Sequence, residues 1–115
     1  MPTPEDVFNH HGQAIGNQDV DGIMADYTED SVIITHSDDY RGLDAIRGFF
    51  QHFVDDVVPA GATFDLTKLA VEGDHVYITW NSDSPKFSVP FSTDTFYIQD
   101  GKIVFQTLGA TIVEK

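Results

Sequence analysis

The sequence predicts an α+β fold in which a curved antiparallel sheet wraps around three N-terminal helices. Before Pro59, apolar residues recur at the spacing of amphipathic helices, with one β-branched segment among them. After Gly61, apolar and polar residues alternate, as in strands that are buried on one face. Because the helices precede the strands instead of alternating with them, a parallel sheet built from helical crossovers is excluded. The 115 residues, 41% of them hydrophobic, fit one domain over 1–115.

The first helix is predicted to begin at Thr3-Pro4-Glu5-Asp6. A hydroxyl at the cap, proline at the first helical position and acids in the first turn all favour a helix N-terminus. We expect the helix to end near Gly16-Asn17. One position of its apolar stripe is His11, which is therefore predicted to face the core. The rest of the stripe consists of Val7, Phe8, Ala14 and Ile15.

Two more helices and one strand are predicted before Pro59. The second helix is expected from Asp19 to about residues 28–30, with an apolar face formed by Val20, Ile23, Met24 and Tyr27. A strand follows at 31–36, with Val32, Ile34 and His36 on one face. After a loop at 37–42, the third helix has a wide aromatic stripe made of Leu43, Ile46, Phe49, Phe50, Phe53, Val54 and Val57.

Four consecutive antiparallel strands are predicted at 64–71, 75–81, 87–98 and 102–113. Turn-forming segments separate them, namely EGD at 72–74, SDSP at 82–85 and QDG at 99–101. Such a sheet buries one face only by curling around the helices. The space between the two layers is therefore the natural place for a pocket.

The composition excludes several functional classes. The chain has 19 acidic and 6 basic residues, a formal net charge of -13, which repels nucleic acid and anionic membrane surfaces. Without cysteine there is neither disulfide nor thiolate chemistry. The start MPTPEDVF lacks the features of a signal peptide, so we expect a cytoplasmic protein. No glycine-rich phosphate loop, G-x-S-x-G or H-E-x-x-H motif supports nucleotide use, serine hydrolysis or zinc proteolysis.

Asp94 is the first candidate functional residue. Strand alternation places it on the same face as Phe96 and Ile98. Burying an ionised carboxylate without partners costs several kcal/mol, so a buried Asp94 must be hydrogen-bonded, paired with a cation or protonated. The alternative is that Asp94 lies near the strand end and is solvated.

Two histidines are further candidates. A buried His11 needs a partner, Asp94 is one candidate, and such a dyad would act in acid/base chemistry near neutral pH. The alternative is a core histidine with a structural role. His36 is predicted to look inward at the pocket mouth beside Asp38 and Asp39. That group is similar to a metal-binding patch, but its spacing is not diagnostic, and a solvated loop is the simpler interpretation.

Four strings resemble the nuclear transport factor 2-like superfamily, in particular its SnoaL-like and ketosteroid-isomerase-like members. They are GNQDVDGI at 16–23, YTEDSV at 27–32, YRGLDAIR at 40–47 and DTFYIQDGKI at 94–103. The resemblance spans nearly the whole chain and includes the order of elements. It implies a cone-shaped α+β barrel with a deep apolar pocket, commonly a dimer through the outer face of the sheet.

The resemblance also implies roles for single residues. In ketosteroid isomerases a Tyr and a protonated Asp form an oxyanion hole while a second Asp moves the proton. By position Asp94 matches the protonated Asp, and His11 stands where the Tyr stands. The general base falls at Thr35, which cannot act as a base at neutral pH. SnoaL-like polyketide cyclases use a pocket Asp as acid/base, a role that Asp94 could take with His11 or His36 assisting.

We therefore expect a protein that binds a small hydrophobic molecule and acts as an acid/base isomerase, cyclase or lyase on a hydrophobic carbonyl compound. It would need no metal and no organic cofactor. The predicted substrate-binding wall consists of Tyr27, Phe50, Phe53, Trp80 and Phe96. The alternative is a non-catalytic ligand-binding or dimerisation module of the same fold. In either case we expect a homodimer through the sheet. The outward set Thr93, Thr95, Tyr97 and Gln106 suits a second copy of the chain as well as a foreign partner.

Overall fold

The computed structural model describes residues 2–115. The helices are α1 (Pro4–Gly16), α2 (Val20–Met24) and α3 (Leu43–His52), and α3 continues into a π-helical turn, Phe53–Val57. The strands are β1 (Tyr27–Thr35), β2 (Asp39–Arg41), β3 (Thr63–Glu72), β4 (His75–Asp83), β5 (Phe87–Gln99) and β6 (Lys102–Glu114). The helices pack against one face of the sheet, so the α+β class is confirmed.

The six strands form one open sheet in the order β2-β1-β6-β5-β4-β3. The four predicted C-terminal strands are present, and successive ones pair antiparallel. β1 pairs in parallel with β6, so the sheet is mixed and not wholly antiparallel. The predicted loop at 37–42 contains the short strand β2, which pairs antiparallel with β1.

Helix α1 begins as the sequence predicts. The Thr3 hydroxyl accepts a hydrogen bond from the Asp6 amide at 3.1 Å, and the Asp6 carboxylate accepts one from the Thr3 amide at 3.1 Å. This reciprocal pair satisfies two amides that a helix start leaves unbonded. The buried face of α1 includes His11. His11 shares this face with Val7, Phe8 and Ala14, as their helical spacing predicts.

The prediction for the second helix was wrong at its C-terminal end. Helix α2 ends at Met24, and Tyr27 opens β1 instead of closing the helix. The reason is long-range pairing: Tyr27 lies opposite Ile103 of β6, and the Ile103 amide donates to the Asp26 carbonyl at 2.7 Å. Tyr27 is buried nonetheless.

The predicted inward face of β1 was also wrong. Ile33 is buried, whereas Ile34 and His36 are exposed. Residues opposite each other in a sheet share a face, and Ile33 lies opposite the buried Gln106 of β6. His36 lies beyond the end of β1 in a bend and points to solvent.

The core lies between the helices and the inner face of the sheet. It is rich in aromatic rings, and Phe50 packs edge-on against Phe53, which in turn packs edge-on against Trp80. Within residues 2–115, no helix combines the length and the hydropathy that crossing a bilayer requires.

Candidate functional site

A cavity of about 370 Å³ lies between α1, the end of α3 and the inner face of the sheet. Its volume falls within the range of small-molecule sites, roughly 300–1,000 Å³. Most of its wall is apolar. The buried polar side chains in that wall are His11, Asp94 and Gln106, joined by the indole of Trp80.

Asp94 is 4% exposed and accepts two hydrogen bonds from neighbouring strands. Trp80 Nε1 on β4 donates to Asp94 Oδ2 at 2.7 Å, and Gln106 Nε2 on β6 donates to Asp94 Oδ1 at 3.2 Å. The position of Asp94 on the inner face of β5 follows from strand alternation with Phe96 and Ile98. The carboxylate is thus buried with its charge partly compensated.

Tyr27 fixes the orientation of the Gln106 amide. The Tyr27 hydroxyl donates to Gln106 Oε1, so the amide NH₂ faces Asp94. Burial, with Asp94 and Asp26 nearby, raises the pKa of Tyr27, which keeps its proton and remains a donor. Trp80, Asp94, Gln106 and Tyr27 therefore form one hydrogen-bonded chain, which we call the Asp94 network.

Burial raises the pKa of Asp94 to about 6. Desolvation disfavours the carboxylate, and the hydrogen bonds from Trp80 and Gln106 partly offset it. A carboxyl group with this pKa exchanges protons within about one unit of neutral pH, which is the range in which general acid/base catalysis is efficient.

His11 shares the cavity with Asp94 but is not its hydrogen-bond partner. Both Asp94 oxygens are bonded to Trp80 and Gln106, and the buried His11 Nδ1 has no partner among the described residues. The imidazole packs against aromatic rings, with centroid distances of 5.3 Å to Phe96 and 5.5 Å to Phe50. Burial, together with the charge of His10, lowers the pKa of His11 to about 3, so the ring is neutral at pH 7.

The other predicted site residues divide into three groups. Four of the five predicted wall residues line the cavity: Phe50, Phe53, Trp80 and Phe96. Tyr27 lies behind the wall and acts through Gln106. His36 and Thr35 lie away from the cavity, and the Thr35 hydroxyl bonds to the backbone of Asp38 in the turn after β1.

Gln106 is the site residue that the sequence analysis missed, because it was assigned to the outer face. In β6, Ile103 lies opposite Ile98 and Phe105 opposite Tyr97, so Val104 is an extra residue, a β-bulge. The bulge reverses the alternation, and Gln106 and Leu108 face inward instead of Phe105 and Thr107. Strict alternation counted from Ile103 assigns Gln106 to the outer face, which is wrong. The alternation of apolar and polar residues in the sequence does not reveal the bulge.

No cluster of three or more His, Asp or Glu side chains suited to a metal ion occurs within residues 2–115. The buried polar groups of the candidate site are a titratable carboxyl, a neutral imidazole, an amide and an indole around an apolar space.

A sequence model of the SnoaL-like domain family matches residues 8–106 of the chain. This stretch contains His11, Trp80, Asp94 and Gln106, the residues with buried polar groups in the cavity wall. No curated protein matches the chain.

Solved structures resemble the chain over most of its length. An NTF2-like protein of unknown function from Cytophaga hutchinsonii has a TM-score of 0.79 at 10% identity, over 96% of this chain and 92% of that one. A candidate ketosteroid isomerase from Kribbella flavida has a TM-score of 0.78 at 13% identity, over 97% and 80%. A candidate polyketide cyclase from Sinorhizobium meliloti has a TM-score of 0.74 at 21% identity, over 94% of each. At these identities the likeness shows the fold alone.

Proposed function

Because this chain belongs to the SnoaL-like domain family, we propose that it binds a small hydrophobic carbonyl compound in its cavity and that Asp94 moves a proton on it. The observation that carries the proposal is the state of Asp94. Its carboxyl group lines an apolar cavity, is held by two donors and has a pKa of about 6. A perturbed carboxyl in a cavity is a candidate for acid/base catalysis.

The proposed step is proton removal next to the carbonyl. The Asp94 carboxylate takes a proton from the carbon beside the C=O, and the C–H electron pair moves through the new C=C bond to the carbonyl oxygen, giving an enolate. Asp94 then returns the proton to the same or another atom of the substrate. This sequence needs Asp94 ionised at the start, and the two donated hydrogen bonds favour that form.

His11 has a different role from the one expected of a dyad. Its ring is neutral at pH 7 and so carries a single N–H. A neutral imidazole in an apolar site can polarise a carbonyl by hydrogen bonding. We assign His11 this role toward the substrate oxygen, because Trp80 Nε1 already donates to Asp94 and the Gln106 amide is engaged by Tyr27 and Asp94.

The names of two structural neighbours support this class of chemistry. One neighbour is a candidate ketosteroid isomerase and another a candidate polyketide cyclase. Both names refer to enzymes that act on carbonyl compounds. The family resemblance implies that the base of a steroid isomerase corresponds to Thr35, which lies outside this cavity. The proposal therefore places the base at Asp94.

Deuterium exchange at the carbon beside the carbonyl of 2-octanone, followed by NMR in heavy water, tests the step. We expect the wild type to catalyse exchange and Asp94→Asn to lower the rate by about 100-fold to 10,000-fold. Asp26→Asn is a matched control, because Asp26 is also a buried carboxylate with a raised pKa but lies outside the cavity. Equal exchange rates in the wild type and Asp94→Asn would rule out the assignment.

One observation favours a second candidate, a non-catalytic binding module. Within the Asp94 network both carboxylate oxygens already have protein donors, so the network is complete without a ligand. In that case 2-octanone would bind to the wild type without exchange, and Asp94→Asn would change affinity or stability only.

A homodimer and a cytoplasmic location complete the proposal. The outer face of the sheet carries exposed apolar side chains, including Tyr77, Phe91 and Phe105. A patch of this kind suits an isologous contact between two copies of the chain. The location is supported by the sequence alone.

A further inference from the structure

The cavity has a closed end and an open end. At the closed end, Asp94 is 4% exposed, and Trp80, Phe96 and Gln106 are buried still more completely. At the open end, Phe64 and Leu66 of β3 also line the cavity but are 48% and 45% exposed. β3 lies two strands from β5, which at a strand spacing of about 4.8 Å puts it roughly 10 Å from Asp94. The β3 side of the opening is therefore apolar, and its backbone lies two strands away from Asp94.

The helical side of the opening includes two glycines, beside the polar side chains of Asn9, Gln13 and Gln18. Gly12 and Gly16 of α1 line the cavity, and a Cβ atom added at either would meet no atom within 4 Å. Gly12 lies inside the helix, where glycine destabilises by about 1 kcal/mol relative to alanine. The missing side chains leave open space beside the exposed rim of β3.

The charges of the wall disfavour an anionic ligand. None of the residues lining the cavity is Lys or Arg, and Asp94 is the sole carboxylate among them. The chain as a whole has a formal net charge of -13. An anionic group placed at Asp94 would be repelled and desolvated without a counter-charge.

We propose that the ligand is an uncharged, elongated carbonyl compound whose apolar tail leaves the cavity between α1 and β3, past Gly12, Gly16, Phe64 and Leu66. The inference rests on the proposed function, which places the carbonyl group at Asp94. It adds that the site selects for chain length and for a neutral head group, with the two glycines as specificity-determining positions.

The test uses 2-hexanone, 2-octanone, 2-decanone and 2-dodecanone as probes. Trp80 is the chain's single tryptophan and lines the cavity, so its fluorescence reports binding. We expect Kd to fall by up to about fourfold for each added methylene, the value for full burial of that group. Decanoate should bind at least about tenfold more weakly than 2-decanone.

Gly16→Leu is the diagnostic variant, because it fills the opening without removing a contact. Gly16→Leu should weaken the binding of 2-dodecanone by about tenfold and leave the binding of 2-hexanone unchanged. Gly48→Leu is the matched control, since Gly48 is an exposed helical glycine with open space around it and lies outside the cavity. Gly48→Leu should leave the Kd of every ketone in the series unchanged.

Three results would overturn the inference: an affinity that does not change with chain length, decanoate binding as tightly as 2-decanone, or unchanged 2-dodecanone binding in Gly16→Leu. A changed molecular mass of Gly16→Leu in light scattering would also overturn it, because a second copy would then cover the opening. Failure of the proposed function looks different. The ketones would bind with the expected length dependence while the wild type catalysed no deuterium exchange.

Discussion

Trp80 Nε1 donates a hydrogen bond to Asp94 Oδ2 at 2.7 Å, from β4 to β5, with both side chains buried. The indole can only donate, so this contact is stronger when Asp94 is ionised. A residue predicted to line the substrate-binding wall thus also stabilises the charge of the carboxylate.

Trp80→Phe should raise the pKa of Asp94 above about 6, because the carboxylate loses a donor while desolvation remains. The ¹³C shift of the Asp94 carboxyl, followed through a pH titration, measures it. Phe53→Leu is a suitable control, since Phe53 lines the cavity and packs on Trp80 without bonding to Asp94. An unchanged pKa in Trp80→Phe would show that this bond does not favour the ionised form.

Tyr27→Phe should raise the same pKa although Tyr27 does not touch Asp94. Without the Tyr27 hydroxyl, the Gln106 amide is free to rotate and present Oε1, which bonds only to a protonated Asp94. We also expect a loss of about 1–3 kcal/mol in unfolding free energy, because a buried amide oxygen loses its donor. Tyr77→Phe, on the exposed outer face, controls for removal of a hydroxyl. A stability loss without a shifted titration would indicate a structural role only.

Asp94 and His11 should have opposite effects on the pH dependence of stability. The folded pKa of Asp94, about 6, exceeds its ordinary 3.8, so the folded state binds this proton more tightly. The contribution of Asp94 to the free energy of unfolding therefore falls by about 3 kcal/mol as pH rises from about 4 to about 6. The folded pKa of His11, about 3, is below its ordinary 6.5. The contribution of His11 to the free energy of unfolding therefore rises by about 5 kcal/mol as pH rises from about 3 to about 6.5.

Urea unfolding of the wild type, His11→Phe and Asp94→Asn, from about pH 3 to about pH 6.5, separates the contributions of the two groups to stability. The difference between wild type and His11→Phe should increase with pH, and the difference between wild type and Asp94→Asn should decrease. Phenylalanine suits the aromatic surroundings of His11. Differences that do not vary with pH would mean that neither group is perturbed by burial.

The chain should elute as a dimer of twice 12.8 kDa in size-exclusion chromatography with light scattering. Phe105→Glu should give a monomer, because a two-fold contact brings both new charges onto one interface. Leu69→Glu is the control, since Leu69 lies opposite the buried Ile78 on the inner face and is similarly exposed. A wild-type monomer would contradict the homodimer.

Local patterns predicted the start of α1, the four C-terminal strands and the inward positions of His11 and Asp94. Each depends on a short-range rule: capping chemistry at Thr3, helical spacing at His11 and strand alternation around Asp94. These rules act within a few residues, so they can be read before any contact between distant segments is known.

The sequence by itself thus determined that a carboxylate and an imidazole face one apolar interior. Only the tertiary structure decided what they touch. Asp94 bonds to Trp80 and Gln106 and not to His11, Tyr27 opens a strand, and His36 faces solvent. The reason is that strand pairing sets these relationships over long separations, 79 residues between Tyr27 and Gln106. One extra residue at Val104 is enough to exchange the faces of β6.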